Sequence, residues 1–331
     1  MQPGADTPRR PPGLVLALSS GGAAGVAHIG VLQVLEEHGI PVRAVAGTSI
    51  GAEIGAFAAS GMALDELESL ATAFDWKQTL QLFMPDLPGG GLVSGRKILD
   101  FLNNKLGARN IEDLPIGYAA VTTDLETGEQ VVFDQGDLVD AVRASISLPG
   151  LIAPYRVGSR WLVDGGVLNP VPFDVARERY GGPVLAVAVH AAVRRRGKRK
   201  LPPRSGQWPA RVRQLLRQPW MGHTQAFQEW LEEQLQNYRK ARSEKPVWTA
   251  RRVLDQVMDI TQSEIIRLRM AGSPPDLMLE PDVSRIGPLE FYRGKEALAA
   301  GRAVARDRLD EIKALLADRS GSPDAAQPSV G

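Results

Sequence analysis

Ser49 stands in Gly47-Thr48-Ser49-Ile50-Gly51, a G-x-S-x-G spacing that suits an alcohol nucleophile. A turn sharp enough to expose such a serine strains the backbone and brings neighbouring chain close, which is why it needs glycine on both sides. The hydroxyl then sits at a helix N-terminus, where the dipole favours developing negative charge. The same residues would equally serve as a helix N-cap in a tight strand-to-helix turn.

A second glycine-rich segment, Ser20-Gly21-Gly22-Ala23-Ala24-Gly25, offers two chemistries. A dinucleotide loop would need glycine at Ser20 and an acid after the next strand, but that strand ends Val45-Ala46-Gly47. An oxyanion hole needs only backbone N–H groups beside the nucleophile turn, and the Ser49 motif supplies that nucleophile. Close strand-helix packing would use the same glycines.

A hydroxyl nucleophile also needs a base. There are four histidines: His28, His38, His190 and His223. His190 or His223 could complete a Ser-Asp-His triad. Asp164 is the sharper base, because Asp164-Gly165-Gly166 follows a short apolar strand and its two glycines admit a ligand or another backbone. An aspartate in a glycine-rich turn can also be purely structural.

The elements that must hold these residues follow from apolar periodicity. Leu14–Leu18 and Val42–Ala46 read as buried strands, each running into a glycine turn and a helix. The first of these helices spans Gly25–His38. Further helices are expected at Leu64–Trp76, Ser94–Leu106, Leu138–Ser147, Val253–Arg269 and Lys295–Leu316. Further strands are expected at Ile116–Thr122, Glu129–Phe133, Trp161–Val163, Pro183–His190 and Asp276–Leu279. The repeated β-loop-α order predicts an α/β fold with a central, mainly parallel sheet between helical layers.

Composition narrows the field. The 331 residues are 44% hydrophobic and 23% charged, ordinary globular values that exclude fibrous and wholly disordered chains. No cysteine is present, so disulfide frameworks, thiolate metal sites and a cysteine nucleophile are out. No apolar run approaches the ~20 residues that span a bilayer, and a cytoplasmic location is expected. The net charge of +1 hides an asymmetry. Residues 194–252 carry 16 Lys+Arg against 4 Asp+Glu, a local +12, which leaves −11 elsewhere. That segment also holds Trp208, Trp220, Trp230 and Trp248, with Phe227, Trp230, Leu231 and Leu235 on one helical face. It reads as a packed helical cap with a solvated basic loop, or as a lid or docking element for anionic membrane. Phosphate contacts without sequence readout are a third use, and no specific nucleic acid is expected.

Taken together, these motifs resemble the bacterial branch of the patatin-like phospholipase family. The resemblance rests on the glycine loop with Gly25-Val26-Ala27-His28-Ile29-Gly30, on Gly47–Gly51, on Ala144-Ser145 leading to Pro149 and Pro154, and on Asp164-Gly165-Gly166 with Asn169-Pro170-Val171-Pro172. It covers roughly residues 13–190 and resumes near 276–312. It implies a three-layer α/β/α fold, a lipid acyl hydrolase using a Ser49–Asp164 dyad, and an oxyanion hole from the N–H groups of Gly21, Gly22 and Ala23. The implied substrate is a phospholipid or other acyl ester, with no metal and no cofactor. Two positions depart from the family pattern: Ser20 replaces a usual glycine and Ala24 a usual arginine. The expected organisation is a tail at 1–12, a catalytic core at 13–193, the insertion at 194–252, the rest of the core at 253–318, and a tail at 319–331.

Overall fold

The structure is a computed structural model that describes residues 12–73, 93–189 and 250–320. The expected tails, the basic aromatic insertion with its four tryptophans, His190 and His223 lie almost entirely outside these residues. The chain divides into two compact units: Met1–Val193 with Asp259–Gly331, and Arg194–Met258.

Strands β1 (Leu14–Leu18), β2 (Val42–Thr48), β3 (Gly117–Asp124), β4 (Gln130–Phe133), β5 (Tyr155–Val157), β6 (Arg160–Asp164), β7 (Val184–Val187) and β8 (Leu277–Leu279) form one sheet. Its order is β5-β6-β3-β2-β1-β7-β8, with β4 also on β3. The β2–β3, β1–β2, β1–β7 and β7–β8 pairs are parallel, and the pairs of β4, β5 and β6 are antiparallel. Helices α1 (Ala27–Glu37), α2 (Ile50–Ala59), α3 (Leu64–Thr72), α4 (Arg96–Leu106) and α5 (Leu138–Ser145) are followed by α6 (Phe173–Tyr180), α7 (Ala250–Gly272), α8 (Gly294–Asp307) and α9 (Leu309–Ser320).

Both faces of the sheet are covered, which is why β1 and β7 are apolar at every position. On β1, Leu14, Leu16 and Leu18 pack into one cluster with α1, α2 and α8, while Val15 and Ala17 join a second with Phe173, Val175 and Ile266. The layers are therefore helix, sheet, helix, as expected. Glycine sets the closest approach: a Cβ on Gly301 of α8 would lie 1.9 Å from the Ala27 carbonyl oxygen of α1.

One feature of register positions the site. A strand has two edges. Val121 of β3 pairs with Val132 of β4 on one edge and with Thr48 of β2 on the other. Thr122 pairs with Val131 of β4 and with Asp164 of β6. So β2 and β6 share one edge of β3 end to end. β6 runs antiparallel toward the point where β2 stops, and Asp164 and Thr48 meet there.

Sequence and structure differ at several ends. β2 continues two residues past Ala46 to Thr48. The loop after Gly21 is a 3-10 turn, Gly22–Val26, before α1 begins at Ala27. The expected closing helix breaks at Arg308 (φ −107°, ψ 18°) into α8 and α9. β5, absent from the sequence reading, forms a hairpin with β6 around Gly158 (φ 60°).

Candidate active site

The turn after β2 is strained as the sequence requires. Ser49 has φ 57° and ψ −123°, and it is the one non-glycine residue with positive φ among those described. Such a backbone costs roughly 1–3 kcal/mol and persists only where its surroundings hold it. The flanking glycines are explained by contact. A Cβ on Gly47 would lie 2.4 Å from the Gly51 oxygen, and one on Gly51 would lie 2.2 Å from the Leu18 oxygen. The Ser49 N–H donates to the Ser145 hydroxyl at 2.9 Å, and that hydroxyl donates to the Val121 oxygen at 2.7 Å. Ser145 is fully buried at the end of α5. The pattern Ala144-Ser145 thus gains a physical role that the sequence did not supply.

Asp164 caps the 3-10 turn Gly165–Val167: its Oδ1 accepts from the Gly166 N–H at 2.7 Å. The other oxygen, Oδ2, is buried without a hydrogen-bond partner. Burial pushes the Asp164 carboxyl up to about 6, while the nearby Ser49 hydroxyl and the Gly166 N–H pull the other way. Gly165 must be glycine because a Cβ there would lie 2.2 Å from the Val121 oxygen. The nucleophile turn, α5 and the aspartate turn are therefore all registered on Val121.

The glycine loop lies alongside, because Leu18 at the end of β1 pairs with Gly47. Gly21 (φ 151°) and Gly22 (φ 57°) adopt glycine-only backbone. Neither N–H finds an acceptor among the described residues. The Ala23 N–H, expected as a third oxyanion donor, is instead committed to the Pro288 oxygen at 2.9 Å. Gly25 lets Ile50 pack close, with a Cβ position 2.3 Å from its Cγ2. Ser20 lies against the aspartate turn, its hydroxyl 3.0 Å from where a Cβ on Gly166 would be.

The histidines within the described residues have other roles. His28 is fully buried with Nε2 2.9 Å from the Ser19 oxygen, and His38 places Nδ1 2.9 Å from the Val34 oxygen at the end of α1.

Several residues at the site went unread in the sequence. Arg143 is 2% exposed and donates to the Ser147 hydroxyl (2.7 Å) and to the Ser94 (3.0 Å) and Ala153 (3.3 Å) oxygens. It thereby holds the chain before α4 against the loop between α5 and β5. The Ser147 backbone oxygen in turn accepts from the Asp164 N–H at 3.0 Å. Thr48 donates to the Asn169 oxygen at 2.8 Å, tying the end of β2 to the loop beyond Asp164. Glu53, one turn along α2 from Ser49, has its carboxyl pushed up to about 7 by burial. The signal for Glu53 was an acid among small residues, one helical turn after a nucleophile motif.

A strained serine turn, a buried aspartate turn and a glycine loop thus meet at the ends of neighbouring strands in an α/β protein whose sheet is covered on both faces. A family model described as patatin-like phospholipase matches residues 16–177. An NTE family protein of Mycobacterium tuberculosis is 34% identical, with 91% of this chain and 92% of that protein covered. The chain belongs to the patatin-like phospholipase family, with NTE family proteins as relatives over most of its length. Patatin-like phospholipase domain-containing protein 7 of Mus musculus is 35% identical across 53% of this chain and 13% of its own length. Among solved structures, VipD of Legionella pneumophila has a TM-score of 0.47 at 16% identity, covering 91% of this chain and 67% of that one.

Proposed function

We propose that this protein is a lipid acyl hydrolase that cleaves carboxylic esters through a Ser49–Asp164 dyad and an acyl-enzyme. Family membership supports lipid hydrolysis. The observation that carries the dyad is the buried, unpartnered Asp164 Oδ2 beside the strained Ser49 turn.

Asp164 takes the Ser49 proton as Oγ attacks the ester carbonyl carbon. The negative oxygen of the tetrahedral intermediate accepts from the Gly21 and Gly22 N–H groups, which are held in place before the reaction begins. The C–O bond to the leaving alcohol breaks, and Asp164 returns the proton to that oxygen. Water then attacks the acyl-enzyme, its proton passing to Asp164 and on to Ser49 as the carboxylic acid leaves. A base kept near pH 6 is matched to this exchange at neutral pH.

Release of fatty acid should be followed on a panel of phospholipids, lysophospholipids and neutral esters, with wild type and Ser49→Ala. Ser49-dependent release from at least one lipid is expected. Equal release by Ser49→Ala, or none from any ester, would overturn the reading. A Ser-Asp-His arrangement would draw on His190 or His223, which lie outside the described residues.

A further inference from the structure

Helix α7 lies far from the four family motifs in sequence, yet two of its residues take carbonyls of the aspartate turn. Gln262, 9% exposed, donates from Nε2 to the Gly166 oxygen at 3.1 Å. Arg269 donates from Nε to the Leu168 oxygen at 3.2 Å and ion-pairs with Asp174. Ile266, 4% exposed, packs between them into the second core cluster. Positions 262, 266 and 269 are spaced i, i+4, i+7, one face of a helix. A Cβ on Gly166 would crowd this contact, lying 2.8 Å from the Gln262 Nε2.

We propose that Gln262 is a positioning residue for Asp164: it holds Gly166 from its carbonyl side while Asp164 holds it from its N–H side. This inference rests on the dyad reading above. Without the Gln262 amide, the buried Gly166 carbonyl lacks its donor, and the turn rotates to find another. The Gly166 N–H then leaves Asp164 Oδ1, and the carboxylate loses the hydrogen bond that favours its charged form. The groups bearing on the carboxyl are the Ser49 hydroxyl and the Gly166 N–H, and no charged side chain among the described residues adds to them. Arg269, on the same helix face, spends its charge on Asp174. Losing Gln262 therefore shifts the titration of Asp164 in one direction, upward.

The test uses the full chain with Gln262→Leu, close in volume and without the amide, and with Gln262→Met, closer in length and likewise uncharged and without a donor. kcat and KM are measured across pH on a short soluble ester, with the melting temperature alongside. For both variants the acid limb of kcat should move to higher pH. One net hydrogen bond moves the limb by about one pH unit, so kcat should fall about tenfold on the acid side of the limb and about twofold at pH 7, with KM held within about twofold. A purely structural glutamine would lower the melting temperature and leave the acid limb in place, which would overturn the proposal. If Gln262→Leu does not fold, the limb of Gln262→Met decides in the same way. Ser49→Ala separates the two readings. An active Ser49→Ala removes the dyad itself, whereas an inactive one with an unmoved limb in the Gln262 variants removes only this inference.

Discussion

At the residue scale, Asp164 embodies a conflict between stability and chemistry. Its carboxyl shifts from 3.8 to about 6 on folding because burial disfavours the charge. A raised carboxyl pKa means that the folded state binds the proton more tightly, so ionisation costs stability as pH rises. The cost is absent below about pH 4 and complete above about pH 6. About two pKa units correspond to at most ~3 kcal/mol. Asp164→Asn keeps the acceptor for Gly166 and removes the charge. It should abolish hydrolysis while melting at a higher temperature than wild type at pH 8, with the difference vanishing near pH 4. Scanning calorimetry at both pH values checks this, and a lower melting temperature at pH 8 would contradict it. Turnover should rise with pH through an acid limb near 6, where the base ionises. Burial also pushes the Glu53 carboxyl up to about 7, so Glu53→Gln is the necessary comparison. The limb should stay in that variant, and its disappearance would assign it to Glu53.

At the element scale, the nucleophile turn depends on α5 as much as on β2. Ser145→Ala leaves the Ser49 N–H without its acceptor, a loss of about 1–3 kcal/mol for a buried donor. A fall in kcat of roughly 10- to 100-fold is expected, and an unchanged kcat in a destabilised Ser145→Ala protein would limit Ser145 to packing. The strands and turns that carry Ser49 and Asp164 were legible because each couples an apolar run to a glycine turn, a signal local in sequence. Local signals also gave the glycine loop that holds Gly21 and Gly22. They could not show that the Ala23 N–H goes to Pro288, a contact between distant parts of the chain. Nor could they show β5, whose three residues form a strand only because β6 pairs with them. The end-to-end meeting of β2 and β6 on β3 is likewise a tertiary fact. Gln262 carried no signal at all, because a glutamine on an amphipathic helix is ordinary until its partner is known.

At the scale of the whole molecule, a neutral chain carries a strongly basic segment, with six Lys or Arg among residues 194–200. No helix among the described residues is long and apolar enough to cross a membrane. If that segment contacts anionic lipid, each basic residue contributes ~1 kcal/mol near the surface, within a Debye length. Replacing all six by Gln or Ser should weaken sedimentation with anionic vesicles and leave hydrolysis of a short soluble ester nearly unchanged. Unaltered vesicle binding would return the segment to a solvated loop. The role of Ser49 is tested by treating the 331-residue chain with a fluorophosphonate and reading its mass. A single adduct is expected, mapped to Ser49, absent in Ser49→Ala and formed far more slowly in Asp164→Asn. An adduct on another serine, or labelling of Ser49→Ala at the wild-type rate, would overturn the dyad.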